Sequence, residues 1–129
     1  MIVVDASVLL HIFLDTVEND LVQRIFEGSD GVIAPHIIDL EVINGIRKNL
    51  RLGIISVERA NFAIEDLRKI PIERKPTHLL NNRIWQLRDN FTPYDASYVS
   101  LAEVNSAALL TRDLKLASAI KAHTKVELI

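Results

Sequence analysis

There is no cysteine in the 129 residues. That excludes a disulfide scaffold, a thiol nucleophile and any thiolate metal site, and it suits a reducing compartment. Aromatic residues make up only 5%, too few for the base-stacking platform with which passive single-strand binders hold RNA. Glycine and proline number four each and lie singly, so no linker, repeat or low-complexity tract divides the chain. An excess of one charge is missing too. Fifteen Lys and Arg against seventeen Asp and Glu leave a net charge of −2, so the molecule as a whole does not attract nucleic acid, and any it binds must be gripped locally. The apolar start, MIVVDASVLLHIFL, has no basic leader and is interrupted by Asp5 and His11, which fits neither a signal peptide nor a membrane span. A soluble, cytoplasmic protein with no membrane contact is expected.

What is present is a hydrophobic fraction of 49%, enough for one domain over residues 1–129 that buries roughly two-thirds of its unfolded surface. Ile2-Val3-Val4 and Ala107 to Leu110 are short apolar runs that read as buried, parallel, central strands. Val32 to Ala34, Ile70 to Glu73 and Val126 to Ile129 are weaker strand candidates flanking them. Helical patterns cover Ser7 to Leu14, Thr16 to Glu27, Ile37 to Leu50, Val57 to Lys69, Thr77 to Asn90, Pro93 to Val104 and Leu114 to Lys121. The alternation predicts an α/β domain with a mostly parallel central sheet. The helices at about 37–69, joined through Gly53, are expected to form a hairpin standing off that sheet. Open parallel sheets bind ligands beyond the carboxyl ends of their strands, so chemistry is sought there.

Those ends are acidic. Asp5 follows the first strand, Asp113 follows Leu109-Leu110-Thr111-Arg112, and Asp95 opens the helix after Thr92-Pro93. Glu41 lies inside a helix beside Ile37 and Ile38, where an ionised carboxylate is costly unless a cation meets it. A divalent metal held by oxygen ligands would supply that cation, with magnesium or manganese favoured over zinc. Each acid also has a simpler reading. Asp5 and Asp113 can cap the following helices, Asp95 falls at the third position of a near capping box, and Glu41 can be solvated or paired with Arg47 or Lys48. Caps alone leave the convergence of the acids unexplained. Ser7 and Thr111, each two residues from a strand-end Asp, are placed to orient those carboxylates. Arg112 and Lys115 flank Asp113 within reach of substrate phosphates. Arg47, Lys48 and Arg51 suit the end of a helix dipole. The four histidines lie apart, so a histidine metal site is not expected. Trp85 is expected in the core or an interface.

The strings MIVVDAS, Asp39-Leu40-Glu41-Val42 with Asn44-Gly45-Ile46-Arg47, YDASYVSLAE from Tyr94, and Leu110-Thr111-Arg112-Asp113 together resemble the PIN-domain ribonucleases. More narrowly, they resemble the VapC-type toxins of toxin–antitoxin pairs. The resemblance implies a PIN-like α/β/α sandwich and an acidic pocket for Mg2+ or Mn2+. Matched position by position, its catalytic quartet falls on Asp5, Glu41, Asp95 and Asp113, with Asp5, Asp95 and Asp113 as metal ligands and Ser7, Asn44 and Thr111 as supporting neighbours. It further implies an endoribonuclease acting on RNA, a homodimer and a VapB-type antitoxin, with DNA contacted only through that antitoxin. The alternatives are a housekeeping PIN nuclease in RNA processing and a non-catalytic partner-binding PIN domain. A receiver domain would want a pair of acids after the first strand, and a haloacid-dehalogenase-type phosphotransferase a second Asp at position 7, where Ser stands.

Overall fold

In the computed structural model the described residues are 1–14, 25–28 and 30–129. Four parallel strands, β1 (Ile2–Val4), β2 (Val32–Pro35), β3 (Glu73–Lys75) and β4 (Ala108–Leu110), form one sheet in the order β3-β2-β1-β4. Of the two aliphatic runs, β1 is central as expected, whereas β4, expected to be central, is the edge strand, pairing with β1 so that Val4 stands opposite Leu110. Strand order reverses at β1, because the chain builds towards β2 and β3 on one side and returns to β4 on the other. The residues following β1 and β4 therefore stand at a topological switch point, where α/β sheets open a crevice.

The helices are α1 (Ala6–Leu14), α2 (Ile37–Arg51), α3 (Val57–Lys69), α4 (Asn81–Gln86), α5 (Pro93–Val104) and α6 (Leu114–His123), with a 3-10 turn at His78–Leu80. Helix α5 packs across β1, β2 and β4, and its unbroken run from Ala96 to Ala102 is buried, as a helix enclosed on all sides requires. Helices α2 and α3 form the hairpin and pack on each other and on α1. Their turn is a left-handed C-terminal cap: Gly53 has φ +71°, Ile54 N–H bonds Asn49 O at 3.0 Å and Gly53 N–H bonds Leu50 O at 3.1 Å. Ser56 then starts α3 by accepting Arg59 N–H at 3.1 Å.

Three further sequence expectations are corrected. The third strand is Glu73–Lys75 rather than Ile70 to Glu73. Pro71 offers no N–H, and Ile72 N–H turns back to Ile70 O at 2.8 Å, so the chain runs beside β2 only from Glu73. The segment Val126 to Ile129 makes a single parallel bridge, Leu109 to Leu128, on the outer edge of β4. The long helix expected over Thr77 to Asn90 breaks into a 3-10 turn and the six residues of α4, because Leu87 alone between residues 81 and 90 is buried and so short a contact sustains little helix. The helix expected over Thr16 to Glu27 lies mostly outside the described residues, apart from helical Ile25, Phe26 and Glu27. Among the described residues, no helix is long and apolar enough to cross a membrane.

Candidate active site

The β1–β4 register brings Asp5 and Thr111 together across 106 residues. Asp5 is 5% exposed. Its Oδ1 accepts the Ser7 hydroxyl at 2.6 Å and Val8 N–H at 3.3 Å, and its Oδ2 accepts the Thr111 hydroxyl. Both hydroxyl protons are thus committed to Asp5, so the 3.4 Å approach of Ser7 Oγ to Thr111 Oγ1 is contact without a bond. The hydroxyls also accept from backbone: Arg112 N–H reaches Ser7 Oγ at 2.9 Å and Asp113 N–H reaches Thr111 Oγ1 at 3.0 Å. The circuit ties the loop after β4 to the start of α1.

Asp113 caps α6, its Oδ1 accepting Lys115 N–H at 3.0 Å and Leu116 N–H at 3.2 Å. Capping occupies one oxygen of this exposed residue and leaves Oδ2 without a hydrogen bond among the described residues. Asp95 stands in the first turn of α5, but the cap there is Thr92, whose Oγ1 accepts Asp95 N–H at 3.1 Å. The Asp95 carboxylate makes no hydrogen bond among the described residues. Glu41 projects from α2, half-buried, and its Oε1 accepts the Tyr98 hydroxyl at 2.6 Å.

These acids act on one another. Burial holds the Asp5 carboxyl above its ordinary range against three hydrogen bonds that pull it down, and Asp113 pushes it further up. Asp95 is raised by burial and by the charges of Asp113 and Asp5. Glu41 is raised by burial, against the Tyr98 hydrogen bond, with help from Asp95 and Asp5. Among the described residues no Lys or Arg forms an ion pair with any of the four. A cluster of partly desolvated anions without a cation is poised for a hard divalent ion, and its carboxylate oxygens suit Mg2+ or Mn2+. Among the described residues no three acids or histidines already stand at joint metal-binding distance, so an ion would have to draw them together.

The structure places the other sequence candidates less uniformly. Ser7 and Thr111 touch Asp5 directly. Asn44, one turn beyond Glu41, is exposed and makes no side-chain hydrogen bond among the described residues. Arg112 and Lys115 lie exposed beside Asp113, contributing backbone N–H groups to Ser7 and Asp113. Arg47, Lys48 and Arg51 are exposed on α2 rather than paired with Glu41. Trp85 is corrected as a core residue: it is 67% exposed, with the Arg88 guanidinium 4.6 Å from its ring centroid. An open cavity of about 810 Å3, lined by Arg83, Glu103, Ser106 and His123 among others, lies towards the start of β4 and takes in none of the four acids. Tyr98 is the residue that sequence reasoning left without a role. Its position three residues after Asp95, on the same face of α5, was the available signal.

Residues 2–121 match the PIN domain family. Ribonuclease VapC9 of Mycobacterium tuberculosis is 34% identical over 129 residues, covering all of this chain and 98% of that protein. Ribonuclease VapC12 of the same organism is 33% identical, covering all of this chain and 99% of its own. Among solved structures, PAE2754 from Pyrobaculum aerophilum superposes with a TM-score of 0.72 over 98% of this chain and 81% of its own, at 23% identity, a likeness of fold. Carboxylates gathered beyond the ends of β1 and β4, and likeness along the whole length, place the chain in the PIN-domain family, among the VapC-type ribonucleases.

Proposed function

We propose that this protein is a divalent-metal-dependent endoribonuclease that hydrolyses RNA phosphodiester bonds as the toxin of a toxin–antitoxin pair. The observation that carries the reading is the set of mutually repelling carboxylates at the switch point of the sheet, with no cationic side chain paired to them among the described residues. Asp5, Asp95 and Asp113 would hold Mg2+ or Mn2+. The bound ion would lower the pKa of a coordinated water and offset charge on the attacked phosphate. Glu41, raised by burial, is suited to take a proton from the attacking water. Ser7 and Thr111 hold the Asp5 carboxylate in one orientation, and Asn44, one turn beyond Glu41 on α2, would be a weaker supporting neighbour. Arg112 and Lys115 supply the local positive charge that a protein of net charge −2 needs to hold RNA phosphates beside its own acids. A VapB-type antitoxin, a homodimer and a cytoplasmic location complete the reading, with DNA reached only through the antitoxin.

The test compares wild type with Asp5→Asn on labelled total RNA, with Mg2+, with Mn2+ and with a chelator, after any co-purified partner has been stripped. Discrete metal-dependent fragments that vanish in the variant are expected. Intact RNA with folded, metal-supplied wild type would sink the nuclease reading and leave the partner-binding alternative. A small reading frame directly upstream, encoding a DNA-binding fold with a disordered tail, distinguishes a toxin pair from a housekeeping nuclease.

A further inference from the structure

Tyr98 is 1% exposed, and buried hydroxyls need partners. A backbone carbonyl would serve. Instead the phenol reaches a carboxylate 57 residues away in sequence, Glu41 Oε1, at 2.6 Å. Burial first, and then the bond to Glu41 and the charges of Glu41 and Asp5, push the phenol far above its ordinary range. It therefore stays protonated wherever the protein is folded and acts as a permanent donor. Its hydroxyl proton is directed at Glu41.

A glutamate carboxylate turns broadly about its last bond. Anchoring Oε1 removes that freedom and leaves Oε2 as the oxygen able to meet water. We infer that Tyr98 is a positioning residue for RNA hydrolysis: its hydroxyl clamps Glu41 by Oε1 so that Oε2 is presented to the reacting water. The inference rests on the nuclease reading above. It adds that the Asp95 helix supplies, one turn later, the group that orients the proton acceptor.

Tyr98→Phe keeps the ring and removes the donor. With metal saturating, kcat on RNA is expected to fall about 10-fold, the lower end of what loss of such an orienting partner causes, with KM and the Mn2+ affinity measured without RNA unchanged. In a Glu41→Gln background the same change should have no further effect on kcat. A readout independent of turnover is the Tyr98 hydroxyl proton itself, expected in metal-free wild type as a slowly exchanging downfield NMR resonance that Glu41→Gln shifts. Wild type that cuts RNA while Tyr98→Phe changes only the unfolding temperature would overturn the inference and leave the nuclease reading intact. So would effects of the two substitutions that multiply, or a wild type without the resonance. Wild type that neither takes up Mn2+ nor cuts RNA would overturn both.

Discussion

Helix α2 carries two acids two residues apart, and the fold treats them in opposite ways. Asp39 meets Arg74 in a fork, Nε to Oδ2 at 3.1 Å and Nη2 to Oδ1 at 2.8 Å, while the same guanidinium donates to Ile72 O at 3.0 Å and Leu67 O at 2.9 Å. One cation thereby fastens β3 to α2 and α3. Glu41, turned to another side of the helix by the 3.6-residue period, receives a neutral phenol and the repulsion of Asp95 and Asp5. A neutralised acid holds elements together. An acid left among like charges weakens the fold unless a cation meets it.

The contrast breaks most visibly at Asp95. Asp95→Asn is expected to lower RNA cleavage by roughly 100- to 1000-fold, the scale of losing one preorganised electrostatic group. It should also raise the unfolding temperature in chelator, because a buried like charge is gone. Unimpaired cleavage by the folded variant would remove Asp95 from the site. Arg74→Ala should do the reverse, lowering stability by about 2–3 kcal/mol through lost charged hydrogen bonds and a half-buried Asp39 without its partner. Denaturant unfolding measures that loss, and cleavage per folded molecule should hold. The smallest effect is with pH. Asp5, Glu41 and Asp95 are raised in the folded state, so between the ordinary and raised values the folded protein binds more protons than the unfolded chain. Their contribution to stability grows as pH falls through the raised values and is lost as pH rises through them. Metal-free protein should therefore melt higher on mild acidification from neutrality, and Mn2+, which needs the carboxylates deprotonated, should abolish that rise. A melting temperature that drops from the first step below neutral would contradict the repulsion.

Where local chemistry decided the structure, the sequence was readable. Thr92 with Pro93 marked the start of α5, Gly53 marked the turn between α2 and α3, and the aliphatic runs marked β1 and β4. Asp5 and Asp113 were legible under two readings, cap and site residue, and their hydrogen bonds make both of them caps. Legibility failed where partners distant in sequence decided. The place of β3 depends on Arg74 meeting Asp39 and on Pro71. The 77–90 segment depends on how little of it finds a core. The bond between Tyr98 and Glu41 exists only once α5 and α2 face each other, and the spacing of Tyr98 from Asp95 within α5 says nothing of Glu41.

The pairing of Val4 with Leu110 has a consequence in time. Synthesis runs from the N-terminus and domains fold as they emerge, so Asp5 is made early and waits more than a hundred residues for Thr111. Until Ala108–Leu110 has been added and has docked beside Ile2–Val4, the nascent chain has Asp5, Glu41 and Asp95 but neither the Thr111 hydroxyl that steadies Asp5 nor Asp113. The cluster is therefore assembled only when two strands separated by more than a hundred residues have paired.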